Sequence, residues 1–330
     1  MDGLMPVIAW GAGLFALFVV VAVGFSARSM VRPGRIKVWT DPKREFGADF
    51  ESITFTTNDD VKLAGWFIPA ARGGAESGAP VQPGPAAIVL HGWCWNRCGT
   101  RQNSPLNDFP FGLPVDLMPA ARALHEAGYH VLMYDMRNFG ESERRGVYTG
   151  GWLEKRDLIG ALEYLAARPE VDAERMVVQG FSVGGNIILY ALPHTRRIRA
   201  AFAIQPARVG LFMANFGRKN LKGIGWLIVP LVEWVYRLYG GPALRDIDPA
   251  LEVVGADDTP VLFLEGTGDR WGSVDDVRRM AEATPGNQGL MVIETNHRYA
   301  GYNWAAQHPE VALEFFAKHI KAPEPPVTAG

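Results

Sequence analysis

The chain has 330 residues, enough for one large core, and α/β domains of this size are often undivided. Apolar residues make up 48% and charged residues 21%, with a formal net charge of -2. That balance offers no broad basic field, which argues against nucleic acid as a partner.

In chain order the first feature is residues 6–26, PVIAWGAGLFALFVVVAVGFS, a run without a charge. Crossing the hydrocarbon core takes about 20 apolar residues, so this run predicts a single transmembrane helix. A cleaved signal peptide has a basic start, whereas the only charged side chain ahead of the run is Asp2. Arg28, Arg32, Arg35 and Lys37 follow closely, and the positive-inside bias places the downstream domain in the cytoplasm. Residues 27–49 hold Pro33, Gly34, Asp41 and Pro42 and read as an irregular tether.

The domain is expected over 50–320. It opens with β-rich runs at 51–57 and 61–68 joined by Asn58-Asp59-Asp60, a hairpin signature. The Gly/Pro/Ala-rich stretch 71–85 reads as a solvated loop. Strands then alternate with helices, which predicts a mostly parallel sheet covered on both faces. Strands are expected at 86–90, 129–135, 176–179, 200–204, 261–265 and 290–294, and helices at 117–127, 153–167, 186–192, 274–283 and 305–320. Residues 205–258 interrupt the alternation with the apolar segment 225–239, broken by Pro230, and read as a helical cap facing an acyl chain or the membrane interface. The proline-rich 321–330 reads as a flexible tail.

The chemistry centres on Gly180-Phe-Ser182-Val-Gly184, a G-x-S-x-G pattern with a strand before it and a helix after it. Small residues at those two positions permit a sharp turn that lifts a serine hydroxyl above the sheet. The first N–H groups of the helix then face a developing oxyanion. An activated serine needs a base and a carboxylate to orient it. Asp269 follows strand 261–265 and His297 follows strand 290–294, and parallel strands carry both loops to the sheet edge that holds Ser182. Asp275 and Asp276 suit the start of a helix, and Asp135 suits a structural acceptor. His91 suits loop bracing, and His125, His130, His194, His308 and His319 fall within or at the ends of regular elements. Cys94 and Cys98 are too few for a disulfide framework and lack the neighbours of a zinc site, so free loop thiols are expected. No metal or organic cofactor is implied.

Over 51–320 the chain resembles the α/β-hydrolase superfamily, nearest its membrane-anchored BEM46-like and serine aminopeptidase-like branch. The resemblance rests on ESITFTTNDDVKLAGWFIPA, on HGW after the third strand, on YDMRNFGES after the fourth, and on GFSVGG. It implies an α/β-hydrolase fold with an eight-stranded sheet, Ser182 as nucleophile, His297 as base and Asp269 as orienting acid. The N–H groups of Trp93 and Val183 then form the oxyanion hole, and the absence of an HGGG run leaves no third donor. The expected substrate is a small-molecule carboxylic ester or thioester with an acyl, lipid-like group. Amide hydrolysis by the same triad and a non-catalytic membrane scaffold are the alternatives.

Overall fold

The computed structural model describes residues 4–71, 83–101 and 113–320. Most of the loop expected at 71–85, and the tail expected at 321–330, lie outside the described residues.

Helix α1, Leu4–Val31, is 28 residues long and apolar on every side. A helix with no polar stripe needs an apolar surrounding along its whole length, yet Trp10 is 75% and Leu14 66% exposed. Only the C-terminal turns are covered, at Val23, Ala27, Met30 and Val31. They pack on a cap helix, and that packing carries the helix five residues beyond the expected end at residue 26. The tether expectation for 27–49 is corrected for the same reason. Ile36 is buried and its carbonyl accepts from Asn96 Nδ2 at 3.2 Å, while the Arg35 guanidinium donates to the Ser142 carbonyl. Asp41-Pro42, read as a break, instead starts the short helix α2, Pro42–Phe46. The Asp41 carboxylate accepts from the Arg44 N–H at 2.9 Å, and Pro42 stands where a helix needs no N–H.

The sheet has eight strands: β1 Glu51–Thr56, β2 Lys62–Ile68, β3 Gly84–Leu90, β4 His130–Tyr134, β5 Val171–Phe181, β6 Ala200–Ile204, β7 Val261–Gly266 and β8 Asn287–Ile293. Their spatial order is β1-β2-β4-β3-β5-β6-β7-β8. β1 and β2 form the expected antiparallel hairpin, β2 runs antiparallel to β4, and the remaining pairs are parallel. This is the mostly parallel eight-stranded sheet of an α/β-hydrolase fold. β5 begins five residues before expectation because Val171 is buried and pairs with Gly84.

Helices α3 Met118–Glu126, α10 Arg298–Gln307 and α11 Pro309–His319 cover one face, where Leu124, Tyr302, Ala305 and Phe316 join the core. Helices α4 Lys155–Ala166, α5 Val183–Ala191 and α9 Val274–Ala283 cover the other through Leu158, Leu162, Ile187 and Val277. The single helix expected at 305–320 is thus two. Pro309 has no N–H and disfavours helical geometry in the residue before it, so the chain breaks at His308.

The cap holds α6 Val209–Asn220, α7 Gly225–Leu238 and α8 Pro249–Val253. α7 continues through Pro230, where a break was expected, with the ring of that residue on the exposed side. Its inner face, Ile228, Val232 and Tyr236, forms a third apolar cluster with Val23, Ala27, Met30 and Val31 of α1.

Candidate active site

Ser182 joins β5 to α5 at φ 56° and ψ -115°. A positive φ strains any residue with a Cβ, at a cost of about 1–3 kcal/mol, so the surroundings must impose it. The Ser182 N–H donates to the Ile204 carbonyl at 2.8 Å, and the Ser182 carbonyl accepts from Gly185 at 2.9 Å and Asn186 at 3.2 Å. The flanking glycines let neighbouring backbones close on this turn. A Cβ on Gly184 would lie 2.7 Å from the Leu90 carbonyl oxygen, and one on Gly180 would overlap the backbone of Gly184. Gly184→Ala should therefore lower unfolding stability by about 1–3 kcal/mol, the usual cost of overpacking. Urea denaturation checks this, and an unchanged midpoint would show that the turn can relax.

The loop after β3 passes in front of the serine. A Cβ on Gly92 would sit 3.1 Å from that of Ser182, and both Trp93 and Val183 line the cavity onto which Ser182 opens. Val183 is the first residue of α5, so its N–H is one of the donors that a helix start leaves without a partner inside the helix.

His91 braces this loop: Nδ1 bonds to the Gly92 carbonyl at 2.8 Å, and Nε2 accepts from the Met136 N–H at 3.1 Å. Burial pushes His91 down from 6.5 to about 4, and the two bonds suit the neutral ring. Between those pH values the unfolded chain takes up a proton that the folded chain refuses. The stability is therefore present above pH 6.5 and falls as pH drops towards 4, by about 3 kcal/mol for this group. His91→Asn should remove that part of the acid sensitivity, read as the difference between urea unfolding at pH 7 and pH 4.5. An identical loss in both proteins would contradict the assignment.

Other candidate residues serve structure. Asp135 accepts from the N–H groups of Arg97 at 2.7 Å and Glu141 at 2.8 Å and pairs with the Arg97 side chain at 3.0 Å. Asp275 and Asp276 stand in the first turn of α9, and the Asp276 carboxylate holds Arg208 Nε at 2.6 Å. Cys94 and Cys98 are buried and form no disulfide with each other, and burial followed by the nearby Asp135 carboxylate pushes Cys98 up to about 12.

Asp269, expected as the orienting acid, stands on the loop after β7. It is buried there, and Oδ1 accepts from the N–H groups of Trp271 at 3.0 Å and Gly272 at 2.8 Å. The side chain between Asp269 and Ser182, however, is Arg298. One end of its guanidinium pairs with Asp269 Oδ2, and the other donates to Ser182 Oγ at 3.2 Å and to the Gln205 carbonyl at 3.3 Å.

His297 is brought to the same loop without joining the pair. Its backbone packs where a Cβ on Gly268 would be, but its ring is turned to the start of α10, where Nδ1 accepts from the Ala300 N–H at 3.0 Å. The reason is local. His297 is the N-cap of α10, extended at φ -158° and ψ 163°, and its ring satisfies one of the unpaired N–H groups there. Arg298 begins the helix and faces inward to two buried acids, Asp269 and Glu265. Burial, and then the Asp269 charge, raise Glu265 well above the usual carboxylate range. Asp269 pairs directly with the Arg298 guanidinium. A guanidinium donates hydrogen bonds but takes no proton, so in this arrangement Ser182 is held as an acceptor.

The roles of Arg298 and Glu265 were not read from the sequence. A helix starting at 298 instead of 305 would have put Arg298 on one face with Tyr302 and Ala305, the only signal that spacing offers for it. The serine cavity is mostly apolar, with Trp93, Tyr148, Val209, Phe212 and Met213 in its wall, and it also includes Met30 of α1.

A family model described as alpha/beta hydrolase fold matches residues 88–223. The uncharacterized protein YfhR of Salmonella typhi is 33% identical over 147 residues, 44% of this chain and 42% of that protein. The polyketide transferase GrgF of a Penicillium species is 28% identical over 159 residues, 47% of this chain and 44% of that protein. These alignments thus span less than half the length of either relative. Among solved structures, an esterase from Pyrococcus furiosus superposes with a TM-score of 0.63 at 20% identity, covering 88% of this chain and 97% of that one.

Proposed function

We propose that this chain, which has the α/β-hydrolase fold, cleaves acyl esters or thioesters with Ser182 as nucleophile, His297 as base and Asp269 as the acid that orients it. The observation that carries the proposal is the strained Ser182 at φ 56°, opening on an apolar cavity with Asp269 held at the same sheet edge. The esterase and polyketide transferase among the similar proteins support acyl chemistry.

In the working state His297 leaves the end of α10 and takes the place of Arg298 between Ser182 and Asp269. Its backbone already packs beside Gly268, so the exchange is one of side chains, in which the His297 cap of about 1 kcal/mol and the Arg298–Asp269 pair are given up for the His297–Asp269 contact. Ser182 Oγ then attacks the acyl carbonyl carbon while His297 takes the hydroxyl proton. The tetrahedral oxyanion is met by the N–H groups of Trp93 and Val183. Collapse breaks the bond to the alcohol or thiol, which leaves with the proton from His297. A water, deprotonated by the same ring, releases the acid and restores the serine. Asp269 steadies the imidazolium and keeps its own charge.

The α1 helix serves as a membrane anchor in this reading. Removal of a signal peptide would strip Val23, Ala27 and Met30 from the cap cluster. The basic residues at the end of α1 and just after it support a cytoplasmic domain by the positive-inside bias, and protease protection of tagged ends in spheroplasts tests that. A panel of p-nitrophenyl esters of increasing chain length beside aminoacyl anilides tests the reaction. The expected result is a kcat/KM that rises with acyl length, and a preference for the anilides would transfer the reading to amide hydrolysis.

A further inference from the structure

A second cavity lies beside the serine cavity, between α1, α6 and α7. Its wall includes Ser26 and Ser29 of α1 and Ile228, Val229 and Val232 of α7. The two cavities share Met30, Trp93, Phe212 and Met213. We propose that these four residues divide one continuous passage, and that it admits a single acyl chain of a bilayer lipid sideways, past α1, to Ser182. The proposal rests on the hydrolase reading for the fate of that chain, but not for its binding.

Three observations support it. The outer cavity is apolar: among the described residues that line it, Ser26 and Ser29 are the only hydroxyl side chains, and Ser29 Oγ is turned back onto the Phe25 carbonyl at 3.0 Å. It lies at the depth a bilayer lipid can reach. Ser26 and Ser29 flank Arg28, the first charge after the apolar run of α1, which puts this opening where acyl chains meet headgroups. On the cap, Trp226 is 76%, Trp234 61% and Leu238 66% exposed, the amphipathic aromatic belt of a membrane interface. Finally, the shared wall can move. Met30 and Met213 are unbranched thioethers with three rotatable bonds, suited to parting for a chain and closing behind it.

The test uses full-length Ser182→Ala protein in detergent micelles, titrated with dansyl-labelled undecanoic acid. Adding Ser26→Trp, which fills the outer cavity, should raise Kd at least tenfold, and an unchanged Kd overturns the passage. If circular dichroism shows that variant misfolded, Met213→Trp fills the shared wall from α6 and carries the same expectation and the same contrary result. In parallel, hydrolysis of p-nitrophenyl laurate by wild-type and Ser182→Ala protein judges the hydrolase reading alone. Hydrolysis surviving in Ser182→Ala sinks that reading and leaves the binding result standing.

Discussion

Ser182→Ala should lower kcat/KM for p-nitrophenyl esters by about 10⁴- to 10⁶-fold, the scale on which removal of a serine nucleophile acts. The fold should survive, because the hydroxyl carries none of the turn: the Ser182 N–H and carbonyl make the bonds to Ile204, Gly185 and Asn186. Ser182→Gly should be just as inactive yet more stable than wild type by about 1 kcal/mol. Glycine adopts φ 56° without a Cβ penalty, so relief of the strain at the elbow outweighs the extra freedom of the unfolded chain. Urea unfolding of the two variants separates the contributions. A Gly variant that is less stable than the Ala variant would mean that the backbone strain is not stored at this residue.

The second large effect separates His297 from Arg298. His297→Ala should reduce kcat by about 10³- to 10⁴-fold, as loss of a general base does, while stability falls only by a helix cap of about 1 kcal/mol. Arg298→Gln should do the opposite. Turnover is retained because the place beside Ser182 opens to His297, but the buried Asp269 carboxylate loses its counter-charge, which costs about 3 kcal/mol or more. Kinetics and urea unfolding of both variants give four numbers that cannot all come out right by accident. If Arg298→Gln is inactive and His297→Ala is not, the Arg298 arrangement is itself the working one and His297 is no base.

Much of this site is legible in the sequence because it depends on backbone chemistry. G-x-S-x-G between an apolar strand and an apolar helix specifies the elbow, since a Cβ at Gly184 would press on the Leu90 carbonyl. The loops bearing Asp269 and His297 follow from strand alternation, and the packing or bracing expected of His91 follows from its place beside the loop after β3. What was not legible depends on competition between neighbouring side chains. Whether His297 or Arg298 faces inward is decided by a capping bond of 3.0 Å set against two buried acids, neither of which spacing reveals. The extension of α1 to Val31 likewise arises from packing on α7, whose register relative to α1 is a property of the folded molecule. The split at Pro309, by contrast, was readable and follows from the ring alone.

The most direct measurement is the rate of fluorophosphonate labelling of wild-type, Ser182→Ala and His297→Ala protein in native membranes, read by gel fluorescence and by mass of the labelled peptide. The account predicts rapid labelling of wild type on the peptide that holds Ser182, none in Ser182→Ala, and labelling slowed by about 10³-fold in His297→Ala. Undiminished labelling of His297→Ala, or a label on any residue other than Ser182, would contradict it.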